Sequence, residues 1–165
     1  AEVFAGSALI GACAKGGQWQ RALNVFRQMP ASGLELNVVT CSSLVSAFEK
    51  AYEWEQALAV LHEMRGCRVA PNTITYSAAM SACEKCLRWE EALALLREMS
   101  VLSLPANTLT YNAAISACEK GRQWERALAL MDEMLTTKLQ VDTVTCSAAI
   151  SACDRAAEWA QALHL

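Results

Sequence analysis

The chain has 165 residues, 54% of them hydrophobic and 19% charged, with a formal net charge of −3 and a pI near 5.4. That is enough apolar material for a substantial core, and no apolar run approaches the length of a membrane span. The acidic balance argues against indiscriminate attraction to nucleic acid, so any phosphate contact must come from where the cations stand.

All five tryptophans, Trp19, Trp54, Trp89, Trp124 and Trp159, fall 35 residues apart. A rare residue at a fixed interval marks one supersecondary unit copied in tandem. The units read as 3–37, 38–72, 73–107, 108–142 and a truncated 143–165, one array across 1–165. The chain opens and closes inside a unit, so it is expected to be a piece of a longer protein.

The first unit begins Val3-Phe-Ala-Gly6 and lacks the aromatic residue that others carry near the start. The second opens Val38-Val-Thr-Cys-Ser42. The third shows the pattern most fully: Tyr76, Ala79, Met80 and Cys83 form one helical stripe, and Trp89, Ala92, Leu93, Leu96 and Met99 form a second after a turn near Cys86. Asn72 is placed to cap the first helix, and Pro105 helps to end the unit. The fourth repeats these offsets from Thr108, and the fifth starts again at Thr143. Each unit is expected to be a hairpin of two helices of about 12 residues, roughly 18 Å long.

Such hairpins leave apolar faces exposed until they stack, so the pattern predicts an all-α solenoid. Alanine columns (Ala22, Ala57, Ala92, Ala127, Ala162 and Ala12, Ala47, Ala82, Ala117, Ala152) allow close helix crossing. The tryptophans are expected to fill space between units. Leu34, Val69, Leu104 and Leu139 are expected to staple the inter-unit turn.

The eight cysteines read as packing rather than chemistry. Cys13, Cys83, Cys118 and Cys153 share a column with Phe48, and Cys41 and Cys146 share one with Tyr76 and Tyr111, so adaptable apolar fillers are wanted there. Cys83 and Cys86 have the spacing of a redox or metal pair, but Cys86 stands where other copies have Gly16, Ala51, Gly121 and Ala156, and no second pair completes a zinc site. No metal or cofactor is expected.

Lys15, Lys50, Lys85, Lys120 and Arg155 form a cationic column at the end of the first helix. Acids are expected on the second helix, with Glu63, Glu98 and Glu133 in one column and Glu55, Glu90 and Glu125 in another. A cation there complements the helix dipole, but its recurrence in every copy also suits a ligand with evenly spaced phosphates. Ser7, Ser42, Ser77, Asn112 and Ser147 lie one turn into the first helix, and Asn37, Asn72, Asn107 and Asp142 close the units as natural caps. Together they make a regular polar strip suited to single-stranded RNA. A peptide-binding helical scaffold is the alternative, and the periodic cations favour RNA over it. No nucleophile–base pair, carboxylate cluster or phosphate-binding glycine loop is present, so no enzyme is expected; His62 and His164 are expected at the surface.

The 35-residue period, Thr73-Ile-Thr-Tyr-Ser77, Thr108-Leu-Thr-Tyr-Asn112, Val38-Val-Thr-Cys-Ser42 and the Trp-Glu-x-Ala-Leu-Ala segments ending at Met64, Met99 and Met134 resemble the pentatricopeptide repeat family, in its uniform-length subclass. The resemblance implies a right-handed superhelix that binds RNA at one base per repeat. It implies base-reading pairs Ser7 with Asn37, Ser42 with Asn72, Ser77 with Asn107 and Asn112 with Asp142, giving A-A-A-U, then a purine at Ser147. It further implies Phe4, Val39, Ile74, Leu109 and Val144 as side chains sandwiching the bases, and the cationic column as the phosphate contacts. A monomeric chain, with no membrane, acting on RNA in a chloroplast or mitochondrion follows from the resemblance alone.

Overall fold

A computed structural model describes residues 2–29 and 36–156, with side chains described over 7–29 and 36–156. Phe4, Leu34, Trp159, Ala162 and His164 therefore carry expectations that lie outside the described side chains. Among the described residues the chain forms helices only: α1 (Glu2–Lys15), α2 (Trp19–Gln28), α3 (Val38–Ala51), α4 (Trp54–Gly66), α5 (Thr73–Lys85), α6 (Trp89–Val101), α7 (Thr108–Lys120), α8 (Trp124–Thr136) and α9 (Thr143–Arg155).

The odd and even helices start by different means. Asn37, Asn72, Asn107 and Asp142 each accept the backbone N–H three residues on, at 2.9, 3.0, 3.0 and 2.9 Å, satisfying a donor that the helix start would otherwise orphan. The even helices α2, α4, α6 and α8 begin at a tryptophan and have no side-chain cap.

Their ends share one device. Gly17, Tyr52, Leu87 and Arg122 follow the odd helices in the left-handed region, and Arg68, Ser103 and Lys138 follow α4, α6 and α8, with φ between 54° and 68°. The next residue's N–H then reaches the carbonyl five back: Glu53 to Phe48 at 3.0 Å, Arg88 to Cys83 at 2.8 Å, Val69 to Met64 at 2.8 Å, Leu104 to Met99 at 2.9 Å. This is a Schellman closure. Val69, Leu104 and Leu139 thus close α4, α6 and α8 through their backbone N–H groups.

The chain divides into two compact units, 1–82 and 83–165, the division falling within α5. In the first, α1 packs on α2 and α3, α2 on α3, and α3 on α4; Ile10, Phe26, Leu44, Phe48, Leu61, Met64 and Tyr76 are fully buried in it or nearly so. In the second, α7 packs on α8 and α9, α6 on α7, and α8 on α9, around Met99, Ile115, Cys118, Met134 and Cys153. Within each unit, α1 and α7 therefore contact both their hairpin partner and the next odd helix, the packing of a helical-repeat solenoid.

The cysteine columns behave as packing. Burial pushes the Cys41 and Cys118 thiols up to about 11 and that of Cys83 up to about 12, so all three stay protonated. Trp19, Trp54, Trp89 and Trp124 are half-buried rather than sealed. Trp19 meets Phe48 edge to face at 5.8 Å, and the Arg126 guanidinium stacks 4.5 Å from the Trp89 ring. A Cβ at Gly121 would lie 2.7 Å from the Trp89 Cγ, so only glycine admits this ring position. The buried phenols are bonded: Arg65 donates to the Tyr76 hydroxyl at 3.0 Å, and Tyr111 donates to Glu133 at 2.9 Å.

Candidate nucleic-acid interface

The pairs expected to read bases come together where both members lie in one unit. The Asn37 amide donates to the Ser7 hydroxyl at 3.4 Å. The Asn112 amide nitrogen donates to both carboxylate oxygens of Asp142, at 3.2 and 3.1 Å. Ser42 and Asn72 line one groove. Ser77 is half-buried on α5 in the first unit, and Asn107 is exposed at the start of α7 in the second. Ser147 is exposed on α9.

The capping bonds fix which atom each closing residue turns outward. Asn72 Oδ1 accepts both the backbone N–H and the hydroxyl of Thr75, at 3.0 and 2.9 Å, which leaves Nδ2 free to point elsewhere. Asn37 is held in the same way by Thr40. Asp142 has only acceptors; the Thr145 backbone N–H above all, with the Asn112 amide, holds the carboxyl below its ordinary value of 3.8.

Beside these polar pairs stand aliphatic side chains that packing does not use. Val39, Ile74, Leu109 and Val144 are 64, 66, 69 and 55% exposed, whereas the threonine next along each helix is fully buried. Exposed large hydrophobics are individually common, but four at a fixed interval on the odd helices make a repeated apolar step. In the first unit, Val39, Ser42, Asn72, Ile74, Lys15 and Lys50 all line one groove of about 380 Å³. In the second, Val144 and Ser147 line a groove of about 390 Å³ together with Ser116, Glu119 and Ser151.

The cationic column needs a correction. Glu49, Glu84, Glu119 and Asp154 immediately precede Lys50, Lys85, Lys120 and Arg155, so acids are not confined to the second helix of each hairpin. Lys120 pairs with Glu84, and the Arg155 Nε lies 3.1 Å from a Glu119 oxygen. Ala14 occupies this acidic column in the first unit. Lys15 and Lys50 are exposed and make no ion pair among the described residues, whereas Lys120 and Arg155 are already neutralised. Lys85 is half-buried. The column therefore differs between the units: Lys15 and Lys50 line the groove of the first, and Lys120 and Arg155 are paired with acids in the second.

Two features escaped the sequence reading. The threonines at Thr40, Thr75 and Thr145 bridge to the residues expected to read bases, through hydroxyl contacts of 2.6, 2.8 and 2.5 Å. The acidic column bonds to a cation 36 residues away.

Family models match most of the chain: one for the pentatricopeptide repeat domain over 24–85, one for the PPR repeat family over 71–120 and 106–155, and one for the PPR repeat over 7–34. No curated protein matches it. Among solved structures, the pentatricopeptide repeat protein PPR10 from maize is similar with a TM-score of 0.83 at 21% identity, over 96% of this chain and 23% of that one. PPR10 in complex with an 18-nt psaJ RNA element is similar with a TM-score of 0.81 at 26% identity, over 98% and 23%. The PPR domain of Arabidopsis thaliana protein-only RNase P 1, in complex with tRNA, has a TM-score of 0.83 at 13% identity, over 95% of this chain and 83% of that one. The chain thus spans less than a quarter of the PPR10 chain.

Proposed function

The chain belongs to the pentatricopeptide repeat family, and on that premise we propose that it binds single-stranded RNA, one base per hairpin, and catalyses no reaction itself. The single observation that carries this reading is the exposed aliphatic column at Val39, Ile74, Leu109 and Val144, set beside outward-turned polar atoms. A flat base can lie between two such side chains while its edge meets the polar pair between them. The likeness to PPR10 with RNA supports the same partner.

Hydrogen-bond polarity supports a choice of base. The Ser42 hydroxyl proton goes to the Val38 carbonyl at 2.7 Å or to Thr75 at 2.8 Å, so Ser42 offers a base only lone pairs. Asn72 offers an N–H. An acceptor beside a donor complements the N6 amine and N1 of adenine. Asn112 and Asp142 reverse that polarity: an N–H beside a carboxylate oxygen complements the O4 and N3–H of uracil. Guanine shares that polarity but extends further, into the space that the longer Asn112 side chain fills and a serine would leave open. By residue type, Ser7 with Asn37 and Ser77 with Asn107 follow Ser42 with Asn72, which gives A-A-A-U and a purine at Ser147.

Role and place follow from the family: RNA processing, stability or translation in a chloroplast or mitochondrion. Titration of A-A-A-U-A against permuted RNAs and against a peptide library tests the reading. Preferential binding of A-A-A-U-A supports it. Equal binding of all RNAs removes base reading, and binding of peptides alone replaces RNA with the scaffold alternative.

A further inference from the structure

Thr40, Thr75 and Thr145 are fully buried polar residues, and helix capping uses only part of what they do. Their backbone N–H groups satisfy the caps at Asn37, Asn72 and Asp142. Their hydroxyls reach back 33 residues, to Ser7 at 2.6 Å, Ser42 at 2.8 Å and Asn112 Oδ1 at 2.5 Å. A hydroxyl that only supported its own helix start would have no reason to meet the polar residue of the preceding hairpin at Thr40, Thr75 and Thr145 alike.

We infer that this threonine is the third member of each reader, a positioning residue whose hydroxyl sets the hydrogen-bond polarity that the base meets. The inference rests on the RNA-binding reading above. Its consequences are sharpest at Asn112. An asparagine amide has an oxygen with two lone pairs at one end and a nitrogen with two donors at the other. Thr145 donates to Asn112 Oδ1 at 2.5 Å, and the Asn112 nitrogen donates to Asp142 at 3.1 and 3.2 Å. A flipped amide would place Oδ1 at those distances from a carboxylate, where two acceptors repel. The orientation is fixed: Oδ1 is turned inward onto the fully buried Thr145 hydroxyl, and the amide nitrogen is turned towards Asp142.

With Oδ1 held inward by Thr145, the edge that Asn112 presents beside Asp142 is its N–H. Uracil presents a carbonyl there and is accepted, whereas the exocyclic amine of cytosine meets a donor and is refused. Without the hydroxyl, Oδ1 loses the bond that holds it inward and the amide can turn an acceptor to the cytosine amine, so rejection of cytosine weakens. One hydrogen bond of this kind contributes about 0.5–1.5 kcal/mol, so U-over-C preference should fall by about twofold to tenfold.

The test compares A-A-A-U-A with A-A-A-C-A for the wild-type chain and for Thr145→Val, Thr145→Ala and Thr145→Ser, with thermal melting to follow folding. Expected results are a U preference in the wild type, its reduction in Val and Ala, and its recovery in Ser. A Val or Ala variant that binds both RNAs less well but keeps the wild-type U/C ratio overturns the inference and assigns Thr145 to the helix cap alone. A wild-type chain with no U preference overturns the base-reading function itself, a distinguishable result. If neither hydroxyl-less variant folds, NMR of the wild type decides. A slowly exchanging Thr145 hydroxyl proton with a nuclear Overhauser contact to Asn112 supports the inference, and a freely exchanging one overturns it.

Discussion

Replacing Glu84 and Glu119 by glutamine should strengthen RNA binding by releasing the cations they hold. Glu84 holds Lys120 with side chains 18% and 32% exposed, and Glu119 holds Arg155 with 13% and 53%. Partly exposed pairs of this kind contribute about 0.2–1 kcal/mol each, and a phosphate must displace the acid before using the cation. Freeing both cations should therefore raise affinity by between about twofold and thirtyfold at low salt. Each freed cation should also steepen the log–log salt dependence by about 0.7, giving about 1.4 for the pair. Fluorescence anisotropy with labelled A-A-A-U-A across a salt series reads both quantities. Glu90→Gln, an exposed acid with no cation of the ladder in its hold, removes charge without freeing a ladder cation and should leave the slope unchanged. In the same assay Lys50→Ala should weaken binding clearly and Lys120→Ala hardly at all. An unchanged slope in the double glutamine variant, or equal losses at Lys50 and Lys120, would refute this difference between the units.

Three further outcomes follow from the fold. Gly121→Ala should destabilise the chain by about 1–3 kcal/mol, because the new Cβ meets the Trp89 ring; chemical denaturation measures this, and Trp89→Leu should remove most of the effect. Arg122→Gly should stabilise it by up to about 1 kcal/mol, since Arg122 holds φ at 56° where glycine carries no steric penalty; a fall in melting temperature would contradict this. Asp142 has a folded pKa below its ordinary 3.8, so its contribution is present above the unfolded value and is lost as pH falls through the folded one. Stability from this cap should accordingly stay flat from roughly pH 5 to pH 8 and decline below roughly pH 4, and Asp142→Asn should abolish that acid-sensitive part.

The sequence revealed the period, the helix hairpins, the asparagine caps and the columns that line the first groove, because each is a local pattern repeated in register. The acidic column was equally visible as Glu49-Lys50, Glu84-Lys85 and Glu119-Lys120. Its meaning was not, since Lys120 pairs with Glu84 of the preceding hairpin, a contact that needs the stacking geometry. The threonines were hidden for the same reason: Thr145 reads as a helix-start residue, and only packing shows its hydroxyl reaching Asn112. The left-handed turn residues were obscured differently. Gly17 announces the turn in the first copy, but Tyr52, Leu87 and Arg122 hold the same conformation without glycine, because the backbone bonds of the closure outweigh the local preference.

Exchanging one reader for another probes base selection most directly. Asn112→Ser with Asp142→Asn converts the fourth pair to the chemistry of Ser42 with Asn72 and should move the preference at the fourth base from U to A, measured by competition between A-A-A-U-A and A-A-A-A-A. Continued preference for U, or loss of affinity for both RNAs without a change in their ratio, would contradict one-base-per-hairpin reading by these residues.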